Sequence, residues 1–294
     1  MSYSSKVKSE ICSKLPATNL EIISELFAIL ESKKAIFDDK IEIRIENINL
    51  AKRVYELLKK ISNFKIVIKY STSNSFGEHN IFTISIYNQK GLANFIKELK
   101  INFLSIFNND EIYRGYTRGI FLSCGYIKDP KKEYSMDFFI DNHDLADDFY
   151  NILLKNKKKV FKTKKRKKSL VYLRNSEDIM DILVLVGSIQ HFFSYEETTM
   201  IKDLKNKTIR EMNWEVANET KTLNTGRNQV KMIEYINEKV GINTLTQVLE
   251  EAAIVRLKNP ESSLQELADM LNISKSGIRN RFRRIEEIYN KLID

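Results

Sequence analysis

The chain has 294 residues, 43% of them hydrophobic and 30% charged, the composition of folded domains and not of disordered or fibrous sequence. A formal charge of +9 favours a polyanionic partner. No apolar run reaches the roughly 18 residues of a membrane span, and the start, Met1-Ser2-Tyr3-Ser4-Ser5-Lys6-Val7-Lys8, has no apolar signal core.

Taken in chain order, apolar spacing predicts a helix over 20–32, with hydrophobic residues at 22, 23, 26, 27, 29 and 30. Strands over 35–38 and 40–45 follow, the second alternating Ile41, Ile43 and Ile45 with charged neighbours. A helix over 47–61 carries Leu50, Val54, Leu57, Leu58 and Ile61. A hairpin of 64–70 and 80–87 around a polar loop at 71–77 precedes a helix at 91–100. The same order then recurs about ninety residues on: helix 113–124, strands 125–128 and 134–140, helix 143–155, hairpin 158–163 with 169–174, helix 176–187. Leu145-Ala146 echoes Leu50-Ala51. The expected fold class is α+β: residues 1–200 form a duplicated αββαββα saddle whose halves, about 18–107 and 112–200, share one sheet.

From about Glu196 the pattern is purely helical. Helices are expected at 206–216 and 224–240, the latter stopped by Gly241, so that 201–226 is a helical linker. Trp214 reads as a core anchor for that linker. A helix at 245–257 ends before Asn259-Pro260, and 227–294 is an all-α domain closed by two short helices. In the first of these, Leu264, Leu267, Ala268 and Leu271 make one apolar face. Ser274 then caps a second helix whose inward stripe is Ile278, Phe282 and Ile285. The outer side of that helix holds Lys275, Ser276, Arg279, Asn280 and Arg283, with Arg281 and Arg284 adding charge. Arg and Asn on such a face pair bidentately with guanine or adenine in a major groove, which makes Ser274, Lys275, Ser276, Arg279, Asn280, Arg281, Arg283 and Arg284 the candidate DNA contacts. The alternative is a helical hairpin with a solvated basic face.

A second basic feature is the run from Lys155 to Lys168, with ten cations in fourteen residues. Its tip, Lys164, Lys165, Arg166, Lys167 and Lys168, suits phosphate contacts that read no sequence, or equally a solvated turn.

Several stretches resemble the WhiA family of bacterial sporulation and cell-division regulators: Tyr116-Thr117-Arg118-Gly119-Ile120-Phe121-Leu122, Ile127-Lys128-Asp129-Pro130, Glu215-Val216-Ala217-Asn218, Ser274-Lys275-Ser276-Gly277-Ile278 and Arg283-Arg284-Ile285. The resemblance runs from Ser4-Ser5-Lys6-Val7-Lys8 to the end. It implies an N-terminal domain related to the LAGLIDADG homing endonucleases and a C-terminal helix-turn-helix, with DNA as partner and roles in transcription control, division and chromosome segregation.

Active homing endonucleases hold a divalent metal on acidic residues at the ends of two packed helices, because Mg²⁺ demands hard oxygen ligands. Laid on the second copy, with Gly119 and Gly125 at its first and last glycines, that motif puts its aspartate on Cys124. On the first copy, residues 26–34, the equivalent position is Lys33. Glu31 lies two residues off, roughly 200° around the helix. The expectation is that no nuclease survives, leaving a scaffold in which Gly119 and Ala28 let two helices approach.

Neither Cys12 nor Cys124 has a metal or redox spacing, as fits a reducing cytoplasm. His79, His143 and His191 are isolated from one another. No cofactor is expected. Arg210, Lys221 and Arg227 could add backbone contacts beside the helix-turn-helix, but solvated surface is the favoured reading of each. The favoured function is a sequence-specific binder of double-stranded DNA acting as a transcriptional regulator in the cytoplasm, associated with the nucleoid. The competitors are a metal-dependent endonuclease and a scaffold for transcription or cell-division proteins whose DNA binding is secondary.

Overall fold

A computed structural model describes residues 2–73, 79–100, 106, 108–165 and 168–293. The chain forms two compact units, Met1–Lys202 and Asp203–Asp294. No helix among the described residues is long and apolar enough to cross a membrane.

The first unit opens with α1 (Tyr3–Cys12) and then runs α2 (Asn19–Ser32), β1 (Ile41–Ile45), α3 (Ile48–Ile61), β2 (Val67–Ser73), β3 (His79–Ile86) and α4 (Leu92–Leu99). The second copy is α5 (Asp110–Cys124), β4 (Gly125–Ile127), β5 (Met136–Ile140), α6 (His143–Lys155), β6 (Val160–Lys165), β7 (Lys168–Leu173) and α7 (Ser176–Val186). Side-chain caps explain where most of these helices start, α4 after Gly91 being the exception. Thr18, Asn47, Asn109, Asn142 and Asn175 each accept a backbone N–H from the first turn of the helix that follows.

Two expectations are corrected here. The halves do not share a sheet: one holds β1-β3-β2 and the other β4-β5-β7-β6, every neighbouring pair antiparallel. The strand expected at 35–38 shrinks to one bridge, Ile36 to Ile41. Lys34 sits at φ 51°, and the chain has already turned back at Phe37, whose N–H meets the Lys40 carbonyl at 2.9 Å. Too few residues remain for a ladder.

What unites the halves is the packing of α2 on α5. Two glycines one helical turn apart permit it. A methyl at Gly115 would lie 2.5 Å from the Glu21 carbonyl oxygen, and one at Gly119 would lie 2.4 Å from that of Glu25 and 2.7 Å from the Ala28 methyl. Small residues at this seam let backbones come close enough for dense van der Waals contact. The core spreads from there, with Leu26, Ile29, Ile120 and Phe121 in the helices and Ile43, Ile86, Phe138 and Val171 from the sheets all buried.

Charge is buried at the same seam. Glu25, with no exposed side-chain surface, accepts two bonds from Arg53, one of them at 2.9 Å, and lies 3.3 Å from Arg118. Arg118 also reaches Glu21 at 3.1 Å and the Val186 carbonyl at 3.0 Å. Arg53 spans further to the carbonyls of Ile11 and Lys14. Three helices and the end of α1 are thus laced together by a closed set of ions, each satisfied by geometry that a buried charge requires.

Beyond α7 comes α8 (Ile189–Lys239), 51 residues long. The helices expected at 206–216 and 224–240 are one. No proline or glycine interrupts residues 189–225, and Gly226 continues the helix. Trp214 is 70% exposed, so it anchors no core.

The second unit adds a 3₁₀ turn (Ile242–Thr244), α9 (Gln247–Lys258), α10 (Leu264–Met270) and α11 (Lys275–Ile293). Its own core joins Ile233 and Ile236 of α8, Leu249, Ala252 and Ala253 of α9, Leu267 and Ala268 of α10, and Ile278, Phe282 and Ile285 of α11. The apolar stripes expected for the last two helices are the ones buried, with Leu264 and Leu271 partly so.

Candidate nucleic-acid interface and the twin-helix centre

Helix α11 is held from within and open from without. Ser263 and Glu266 form a reciprocal capping box that starts α10. The bond from the Ser263 N–H holds the Glu266 carboxyl below its ordinary pKa. The turn at 271–274 uses Asn272 at φ 52°, a left-handed position that asparagine tolerates better than most residues. Ser274 then accepts the Gly277 N–H at 3.1 Å, so its hydroxyl caps α11 and stays within the chain. It also lies 2.9 Å from the Ser276 hydroxyl.

With Ile278, Phe282 and Ile285 turned inward, Lys275, Ser276, Arg279, Asn280, Arg283 and Arg284 are exposed. The first turns of this face carry no acidic side chain. Glu286 and Glu287 enter only afterwards, and Glu287 pairs weakly with Arg283 at 3.8 Å, an exposed pair worth little. Arg281 stands apart. Its guanidinium donates to the Val248 carbonyl at 3.2 Å and lies 3.7 Å from Glu251, so it fastens α11 to α9 instead of joining the open face.

Beside the N-terminus of α11 lies a cleft of about 210 Å³, lined by Lys221, Thr222 and Thr225 of α8 together with Arg256, Ser263, Leu264, Lys275 and Arg279. Four cations and no carboxylate face it. Lys221 was read from sequence as solvated surface; the fold brings it to two residues of the candidate face that are more than fifty positions away.

The hairpin cations are placed less uniformly. Lys164 is exposed, while Lys168 lies 3.2 Å from Asp141. Lys162 meets Asp147 at 2.6 Å, and Lys158 pairs with Asp181. Lys165 lies at the end of β6, paired in register with Lys168. Arg166 and Lys167 lie outside the described residues. Part of the run is therefore neutralised by the acids of α6, α7 and the turn before α6.

At the C-terminal ends of α2 and α5 the structure places Lys33, which is the C-cap of α2, and Cys124, the last residue of α5. Ser32 and Ser123 hydroxyls join the two ends at 2.8 Å. A cavity of about 280 Å³ opens here, lined by Lys8, Cys12, Lys33, Arg44, Glu46 and Ser123 among others. The ammonium of Lys8 donates to the Leu122 carbonyl at 3.0 Å, at one helix end. Burial, aided by nearby Lys33, lowers its pKa from the ordinary 10.5 to about 8. Glu31 faces a different hollow, with Phe27, Tyr116 and Asp148. A soft thiol and two ammonium groups do not fit a hard divalent cation, and no cluster of three His, Cys, Asp or Glu side chains occurs among the described residues. His143 bonds Ser169, and His191 bonds Glu10. Lys8 is the component that sequence reading missed, since nothing in spacing announces that an N-terminal helix reaches the end of α5.

Paired helices with a sheet from each half, followed by a capped two-helix turn over a separate core, define a helix-turn-helix protein built on a degenerate LAGLIDADG-like platform. Three family descriptions match in series: the WhiA N-terminal LAGLIDADG-like domain over residues 37–102, the WhiA LAGLIDADG-like domain over 113–205, and the WhiA C-terminal HTH domain over 209–289. The chain belongs to the WhiA family. It is 33% identical over 311 residues to a protein named probable cell division protein WhiA from Clostridium botulinum strain Hall, covering 99% of each chain. A protein of the same name from Clostridium acetobutylicum is 33% identical over 316 residues, covering 99% of this chain and 98% of that one. Among solved structures, full-length WhiA from Thermatoga maritima superposes with a TM-score of 0.62 at 21% identity over 99% of both chains. The N-terminal LAGLIDADG domain of WhiA gives 0.52 at 18% identity, covering 63% of this chain and 92% of that one. At these identities the likeness concerns the fold.

Proposed function

We propose that this chain is a sequence-specific binder of double-stranded DNA that regulates transcription in cell division, chromosome segregation or sporulation, with α11 as the groove-reading helix. The observation that carries the reading is the sidedness of α11: three buried apolar residues fix its orientation, and Lys275, Ser276, Arg279, Asn280, Arg283 and Arg284 remain open on the other side. Arg279, Asn280 and Arg283 would reach base edges, where one bidentate pair discriminates by about 1–3 kcal/mol. Ser274 and Arg281 would act indirectly, by capping and fastening the helix. The exposed Lys164 and its hairpin would add contacts to phosphates. The protein would work at the nucleoid in the cytoplasm, and transcription or cell-division proteins would be its further partners.

The test is selection of bound sequences from a random duplex pool, followed by titration of the selected site. Arg279→Ala weakens that site by about 1–3 kcal/mol and unrelated duplex by less, so that the preference for the site falls. Equal affinity of variant and parent for the selected site would remove α11 from sequence readout. The first unit is proposed to be non-catalytic, because Lys33, Cys124 and Lys8 occupy the helix ends where hydrolysis needs carboxylates. Turnover of supercoiled plasmid with Mg²⁺ or Mn²⁺ would overturn that assignment.

A further inference from the structure

The cleft beside α11 asks for something its own chain does not supply. Arg256 is only 1% exposed, yet it meets no carboxylate. Its donors go to the Gln229 side-chain oxygen at 3.0 Å and to the carbonyls of Asn259, Pro260 and Ser262, the last at 2.6 Å, and its plane lies over the Phe282 ring at 5.4 Å. Burial without a counter-charge depresses its pKa. Lys221, Lys275 and Arg279 converge on the same cleft, and none of them has an ion pair among the described residues. Three hydroxyl-bearing residues, Thr222, Thr225 and Ser263, complete the lining, although the Thr225 hydroxyl donates to the Lys221 carbonyl and that of Ser263 caps α10.

An assembly of like charges around a buried guanidinium is unfavourable until an anion enters. The cleft's volume of about 210 Å³ admits a tetrahedral oxyanion, and its residues have the chemistry of phosphate seats: ammonium and guanidinium groups with hydroxyls between. Position narrows the choice. Lys275 and Arg279, one turn apart on α11, line the cleft and also border the open face. An occupant of the cleft would therefore lie against the N-terminal end of the groove-reading helix, where a duplex backbone passes when such a helix enters the major groove.

We propose that this cleft is a phosphodiester seat that grips one DNA backbone phosphate, with Lys221 of α8 as its sequence-independent arm. The proposal rests on the DNA-binding reading above. In it α8 takes part directly in DNA contact, while Arg256 acts as a positioning residue that ties the turn at 259–262 and Phe282 to the bound phosphate.

Two measurements on the full chain separate this seat from the parent reading. The first is a salt titration of Lys221→Gln on both the selected site and an unrelated 24-base-pair duplex. Loss of one phosphate contact lowers the slope of log K against log salt by about 0.9 and weakens both duplexes by the same factor, leaving their ratio intact. The second is an amide NMR titration with pyrophosphate, without DNA. Thr222, Thr225 and Leu264 shift in the parent and stay still in Lys221→Gln. An unchanged salt slope, or no pyrophosphate shift at these amides in the parent, overturns the seat even where Arg279→Ala still lowers site preference. Absence of duplex binding by the parent would instead defeat the reading on which the seat rests, and the pyrophosphate titration would still report on the cleft.

Discussion

Replacing Arg53 by methionine strips the buried ion set of its most connected member while keeping most of the side-chain volume. Arg53 is 1% exposed and supplies two of the bonds that Glu25 accepts. Without it, Glu25 keeps Arg118 at 3.3 Å, but that guanidinium is already shared with Glu21 and with the Val186 carbonyl. The carbonyls of Ile11 and Lys14 also lose their donor, so the end of α1 is released from α3. Removing one partner of a buried ion pair costs about 3–5 kcal/mol, most of it the penalty of the charge left behind. For a unit of this size each kilocalorie moves the midpoint by about 2–4 °C, giving a fall of roughly 10 °C in the transition of the first unit. The assay is thermal and urea unfolding of Arg53→Met, Glu25→Leu and the double variant, followed by far-UV circular dichroism. The double variant should cost at least about 1 kcal/mol less than the sum of the singles, because removing both leaves no orphaned charge between them. A cost below about 1 kcal/mol for Arg53→Met, or strict additivity, would show that the set is ornamental and that apolar contact alone joins the helices.

Two further outcomes follow from the geometry. In Lys8→Met the pH dependence of stability changes. Lys8 is charged in fold and unfolded chain below about pH 8, but between about 8 and 10.5 it is neutral only in the fold. The unfolded state binds more protons in that window, so the parent gains stability there as pH rises. The variant lacks this gain, worth about 1–2 kcal/mol after allowance for screening. Parallel urea midpoints for the two proteins between pH 7 and 10 would contradict it. Gly226→Ala sets a methyl 2.2 Å from the Pro260 carbonyl oxygen, in the turn that Arg256 holds. It should destabilise the second unit by about 1–3 kcal/mol through overpacking, despite the better helix propensity of alanine. Calorimetry resolving that unit's transition checks it, and a stabilised variant would refute the close approach.

Much of the fold was legible because it is written locally. The helix expected at 143–155 is α6 to the residue, since Asn142 caps it and its apolar spacing is regular. The stripes of α10 and α11 were readable for the same reason, and the open face of α11 is their complement. What escaped depends on distance. The partners Glu25 and Arg118 are 93 positions apart, and no spacing rule links them. Lys8 reaches Leu122 across 114 positions. The shared sheet was inferred from duplication, but a repeat specifies two like halves without saying whether their edges hydrogen-bond. The sequence makes Trp214 a candidate core anchor, whereas burial needs a neighbouring surface and residues 203–220 are exposed throughout. The two helices expected within α8 are one, because a helix runs on where no proline breaks its hydrogen bonds.

Lys8 also bears on what the paired ends of α2 and α5 could be made to hold. An acid placed at position 33 or 124 alone would sit beside the tethered Lys8 ammonium, which would neutralise it and leave Mg²⁺ unwelcome. Turning these ends into an acidic pair therefore requires replacement of Lys8, Lys33 and Cys124 together.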